Sequence, residues 1–131
     1  MALETDNTSR DYLYGRLLAI ADHIESRALY LSGEKRDTNA ERNLQRFADF
    51  PYSTWKTIEL AMTPYRSQLK SKRGGMLQRL EKEIDEVMSK FSTDDFKKDQ
   101  RLSAEFLLAF HCQRQELWKS PETDSSDENN N

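Results

Sequence analysis

The spacing of Leu13, Leu17, Ile20, Ile24, Ala28 and Leu31 constrains this chain more than any other feature, because apolar residues recur there every three or four positions. An α-helix, at 3.6 residues per turn, gathers such positions onto one stripe. Thr8 or Ser9 offers a capping oxygen ahead of the stripe, and Gly33 follows it, where a left-handed residue closes a helix. At 1.5 Å per residue this element extends about 33 Å, the span of a small bundle.

The rest of the chain repeats the pattern in shorter pieces. A second helix is predicted from Asp37 or Thr38, burying Ala40, Leu44 and Phe47 and stopping at Pro51. Ser53 or Thr54 caps a third, with Trp55, Ile58, Ala61 or Met62, Tyr65 and Leu69 inward. Pro64 interrupts it, so a kink or two short helices are expected. Gly74-Gly75 breaks the chain before a fourth helix marked by Leu77, Leu80, Ile84, Val87 or Met88, and Phe91. Thr93 or Asp94 opens the next turn. Leu102, Phe106, Ala109 or Phe110, Gln113 and Leu117 define a fifth helix over about residues 103–118. Nothing alternates with period two, and Val87 is the sole valine. The expected fold is all-α, an antiparallel bundle of about five helices.

Length and charge set the organisation. A chain of 131 residues without an internal Pro/Ser/Gly linker supports one domain, placed at residues 8–119. Residues 120–131 carry Glu122, Asp124, Asp127 and Glu128 with no base and no apolar residue, so a disordered acidic tail is expected. Without those four acids the formal net charge changes from −3 to +1, leaving a slightly basic domain. Mean hydropathy is −0.92, and the longest apolar run, Phe106 to Phe110, is far too short to span a bilayer. The amino terminus lacks the basic and apolar stretches of a secretory signal, and Cys112 has no disulfide partner, so the expected location is the cytoplasm.

The inventory for catalysis is thin. His23 and His111 are the only histidines, and neither belongs to H-E-x-x-H or Glu-x-x-His. The glycines form no phosphate loop, and G-x-S-x-G is absent. Cys112 follows His111, but helix neighbours point about 100° apart, so a buried inert thiol is the expectation. Asp95-Phe96-Lys97 holds a D-x-K fragment without the strand platform that nuclease chemistry uses. The reading is a binding protein with no catalytic residue, metal or cofactor.

Charge patterning directs attention elsewhere. Glu81, Glu83, Asp85 and Glu86 interleave with Arg79, Lys82 and Lys90 at helical spacing, as on a solvated, salt-bridged face. Between Leu60 and Leu80, by contrast, Arg66, Lys70, Lys72, Arg73 and Arg79 occur without an acid, with Lys56 upstream and Gly74-Gly75 between. Such a helix end and loop can track a phosphate backbone; a merely soluble loop is the alternative. Phe47, Phe50, Tyr52, Trp55 and Tyr65 concentrate nearby. Most sit on the apolar stripes and are assigned to the core, which leaves Tyr52 open to base stacking.

Several strings resemble one family: Asp11-Tyr12-Leu13-Tyr14-Gly15-Arg16-Leu17-Leu18-Ala19-Ile20-Ala21-Asp22, then Thr54-Trp55 with Ile58 and Pro64-Tyr65, then Leu102-Ser103 and Phe106-Leu107-Leu108-Ala109-Phe110-His111-Cys112-Gln113-Arg114-Gln115. They are similar, in order over residues 10–118, to the C-terminal region of the type I-C CRISPR Cascade large subunit. That region is also made as a separate small subunit, which a chain starting at Met1 fits. The resemblance implies a helical, non-catalytic subunit, in more than one copy, along the crRNA-bearing backbone subunits and beside the large subunit. Its partners would be DNA, the displaced or the target strand, and further copies of itself, with no membrane. Ala109 stands where the family string has glycine. The phosphate contacts expected from the charge pattern are Arg66, Lys70, Lys72, Arg73 and Arg79, assisted by Lys56 or Arg114. Gln113-Arg114-Gln115 serves either packing within the bundle or contact with a neighbouring subunit, and Arg16 reaches a carboxylate inside the bundle or across a boundary. A purely protein-binding spacer is the rival function.

Overall fold

Gly33 ends the first helix as its position suggests. At φ 75° it is the one left-handed residue among those described, and the N–H groups of Gly33 and Glu34 close onto the carbonyls of Tyr30 and Leu29. The structure, a computed structural model, describes residues 2–119, which form eight helices and no strand. The all-α expectation holds. The helices are α1 (Arg10–Ser32), α2 (Asn39–Arg42), α3 (Leu44–Asp49), α4 (Pro51–Ala61), α5 (Thr63–Lys72), α6 (Gly74–Ser89), α7 (Thr93–Phe96) and α8 (Ala104–Lys119). The acidic tail lies outside the described residues. Among those described, no helix is long and apolar enough to cross a membrane.

Five legs can be traced, two of them broken. Thr38 opens α2 with a reciprocal capping box to Glu41, and Asn43 interrupts the leg before α3. Phe50, which precedes a proline and leaves the helical region at φ −136° and ψ 72°, ends α3. Pro51 then starts α4 instead of merely stopping its predecessor, so the third leg begins earlier than Ser53 or Thr54. Its exposed N–H groups are met from a distance: Asp99 accepts from the Ser53 N–H at 2.9 Å and from the Ser53 hydroxyl. The split expected at Pro64 occurs at Met62, between α4 and α5. The next break is at Arg73 rather than at the glycines, which are the first two residues of α6. α7 opens on Thr93 as expected, with Ser92 as its cap.

The contacts fix the direction of each leg. Thr38 meets Asp22 while Phe47 meets Tyr14, so α2–α3 descends along α1. Tyr52 packs on Phe96, which stacks on Tyr14, and Gln68 reaches the Ala28 carbonyl, so α4–α5 ascends. Arg66 pairs with Glu81, so α6 folds back on α5. Successive legs are thus antiparallel, but an odd number of them makes the first and last parallel. Ser9 with Glu105, Arg16 with Gln113 and His23 with Trp118 advance together.

This arrangement places α1 in the middle. Every residue from Tyr12 to Glu25 is buried, which corrects the single-stripe reading: this helix has no wet face over three turns and more. α8 packs tightly on it at Gly15, where a Cβ would meet the Phe106 carbonyl oxygen and lie 2.7 Å from the Ala109 Cβ. The small pair Gly15 and Ala109 lets the backbones approach.

Candidate nucleic-acid interface

The basic run of the sequence becomes one end of the bundle. Arg66, Lys70, Lys72, Arg73 and Arg79 all fall on the antiparallel α5–α6 hairpin, whose corner at Arg73 sits beside the carboxyl end of α1. Lys70, Lys72 and Arg79 are exposed, as are Lys82 and Gly75. A Cβ added at Gly74 or Gly75 meets nothing within 4 Å, so the corner is open to approach from outside. Arg66 is half-buried and held 3.7 Å from Glu81. Arg73 donates to the Lys72 carbonyl at 3.0 Å and lines a cleft toward α1.

The two assisting residues are placed elsewhere. Lys56 lies midway along α4, its Nζ 4.6 Å from the centre of the Tyr52 ring and close to Asp99. Tyr52 packs edge-on to Phe96 at the aromatic end of the bundle, which also gathers Tyr14, Phe47 and Phe91. Arg114, on α8, brings its Nε within 3.4 Å of the buried Asp22 and reaches toward Glu41. Five of the seven expected contacts therefore share a surface and two do not. Phe47 and Trp55 are core, whereas Phe50 is 55% exposed.

Charged residues on the buried helix find partners inside. Arg16 donates from Nε to Gln113 at 2.7 Å, and Gln113 donates onward to Glu83 at 3.2 Å. This settles the role of Gln113 as packing and hydrogen bonding within the bundle, and gives Arg16 a carboxylate one residue removed. Glu83 consequently leaves the solvated face expected for it, and burial pushes its carboxyl above the usual range against the opposing pull of Arg16. Asp22 is likewise raised by burial, although the Thr38 hydroxyl donates to it at 2.5 Å and Arg114 lies near. Glu25 accepts from Arg36 at 2.8 Å and from the Asn39 N–H at 2.9 Å. These contacts tie α2, α6 and α8 to α1. Cys112 is buried, and among the described residues no three His, Cys, Asp or Glu side chains are grouped to hold a metal ion.

A family model described as CRISPR-associated protein (Cas_Csd1) matches residues 1–118. The chain belongs to that family. No curated protein matches it. In this CRISPR-associated protein the sequence reading missed three residues at the basic end: Arg27 and Tyr30 on α1, and Trp118 on α8. They come from opposite ends of the sequence, and their one local signal is that Arg27 and Tyr30 lie off the apolar stripe of α1. Lys82 was assigned to a salt-bridged face, yet it extends the positive surface of α6.

Proposed function

We propose that this chain is a non-catalytic small subunit of a crRNA-guided type I-C CRISPR surveillance complex, and that it stabilises the R-loop by binding DNA backbone. The observation that carries the reading is the α5–α6 hairpin, where Lys70, Lys72 and Arg79 are exposed with no acid between Leu60 and Leu80, and the next acid, Glu81, is paired with Arg66. Family membership supplies the setting. Guide pairing exchanges a DNA duplex for a heteroduplex of nearly equal stability and releases one strand, so a few phosphate contacts tip the balance. A cytoplasmic location and assembly beside crRNA-bearing backbone subunits, the large subunit and further copies of the chain belong to this reading.

The test is R-loop formation over a salt series, with Lys70, Lys72 and Arg79 replaced by alanine in the full chain. Each phosphate contact removed lowers the salt slope by about 0.7–0.9, and R-loop yield falls with it. An unchanged yield and slope reject the hairpin as a DNA contact. A protein-binding spacer would then remain, which the half-exposed Leu107 and Leu108 favour, since Leu107 borders a groove with Leu44, Ala48 and Leu102.

A further inference from the structure

Beside the basic corner lies a cleft of about 270 Å³, lined by Arg27, Tyr30, Leu31, Leu69, Arg73, Met76 and Trp118. Leu69 and Met76 are buried and make an apolar floor, whereas Tyr30 and Trp118 keep 73% and 42% of their surface exposed. The Trp118 ring is held rather than loose: the Arg27 guanidinium sits 4.4 Å over it and His23 packs against it at 4.6 Å. Two guanidinium groups line the walls, and no carboxylate is among the described residues that do so.

Each component answers one part of a nucleotide. An aromatic ring with an exposed face gains by stacking on the flat, weakly hydrated face of a base, and does so whatever the base. Guanidinium groups bind phosphate through paired N–H donors and also stack on planar groups. The volume is at the small end of ligand clefts, suited to a single planar ring system rather than to a long cofactor. Lys70 and Lys72, exposed on the adjoining turn of α5, continue the positive charge beyond the cleft, as a ligand with repeating negative charge requires.

We propose that this cleft is a stacking site for one unpaired base of a single-stranded nucleic acid, with Tyr30 and Trp118 as the platform and Arg27 and Arg73 taking the adjacent phosphate. The proposal rests on the phosphate-binding reading above and deepens it. The hairpin supplies affinity for any backbone, and the cleft discriminates an unpaired strand, whose bases can turn out, from a duplex, whose bases cannot.

Tryptophan fluorescence reads the site directly, because Trp55 is buried and Trp118 is at the cleft. An oligothymidylate of about ten nucleotides is titrated into the full chain, beside an abasic phosphodiester of equal length and an oligouridylate. The base-bearing strands quench the emission and bind more tightly than the abasic one. Whichever of the two binds better identifies the source as DNA or RNA. Tyr30→Ala, at an exposed position, lowers affinity for the base-bearing strands about tenfold, leaves abasic binding and the salt slope unchanged, and keeps the thermal midpoint. Trp118→Phe removes the quench. Equal affinity of Tyr30→Ala and the parent for oligothymidylate overturns the cleft, as does abasic binding as tight as base-bearing. If Lys70→Ala/Lys72→Ala loses affinity and slope while Tyr30→Ala does not, the cleft alone falls. If none of the strands binds, the phosphate reading falls as well.

Discussion

Gly15 shows how much one residue governs here. It is not needed for an unusual backbone angle, since Gly33 alone among the described residues has positive φ. Its role is the missing Cβ: that atom would collide with the Phe106 carbonyl oxygen, stand 2.7 Å from the Ala109 Cβ and 2.9 Å from the Phe110 nitrogen. Two of these three obstacles are backbone, which cannot rotate away. Gly15→Ala is expected to cost about 1–3 kcal/mol by forcing α1 and α8 apart. Adding Ala109→Gly removes the side-chain clash and leaves the two backbone ones, so it should recover only part of the loss. Urea unfolding of the single and double variants measures both. Full recovery would mean that the Cβ pair alone sets the crossing distance.

At the level of helices, the ends reveal what pattern reading can and cannot supply. α4 opens on Pro51 without a cap of its own, and its N–H groups are served by Asp99, distant in sequence. Burial alone would raise the Asp99 carboxyl, but the Ser53 hydroxyl, the Ser53 and Tyr52 N–H groups and Lys56 together hold it below its usual value. A depressed carboxyl stabilises the fold above its unfolded pKa and loses that effect as pH falls through the folded one. Asp99→Ala should therefore cost about 1 kcal/mol at neutral pH, the worth of a helix cap, and progressively less in acid; thermal melts across the acid range test the convergence. Local signals such as Gly33, Pro64 and the capping box at Thr38 were readable because their partners are a few residues away. A cap supplied by Asp99 was not. The same distinction separates the basic run, contiguous from Arg66 to Arg79, from the cleft, whose Arg27, Tyr30, Arg73 and Trp118 meet only once three legs have packed. The period of α1 was also legible, but the burial of Asp22, His23 and Glu25 off its stripe was not, because the groups that cover them lie on other legs.

Across the whole molecule, a central helix with no wet face converts ordinary surface charges into buried ones. Arg16, Asp22 and Glu25 are each no more than 3% exposed; Arg16 is joined to α8, and Asp22 and Glu25 to the start of the α2–α3 leg. Such contacts cost desolvation, and they favour a single arrangement of legs because any rotation of α1 would leave a charge without its partner. The cost appears as a pH dependence. Burial raises both Glu83 and Asp22 above their usual values, so the folded chain holds their protons more tightly than the unfolded chain does. The stability tied to them is complete below the unfolded pKa and is lost as pH rises through the folded one. Moving from about pH 7 to about pH 5 should thus raise the urea midpoint through these two groups, within the window that opens above the ordinary carboxylate range. Asp99, shifted the other way, acts at lower pH and does not cancel it. Glu83→Gln keeps an acceptor for the Gln113 amide and removes the titration, so the gain on acidification should shrink in the variant by the Glu83 share. Asp22 supplies what remains. An equal gain in Glu83→Gln and the parent would show that the Arg16–Gln113–Glu83 chain is open to water, and with it that α1 is not sealed on its α6 side.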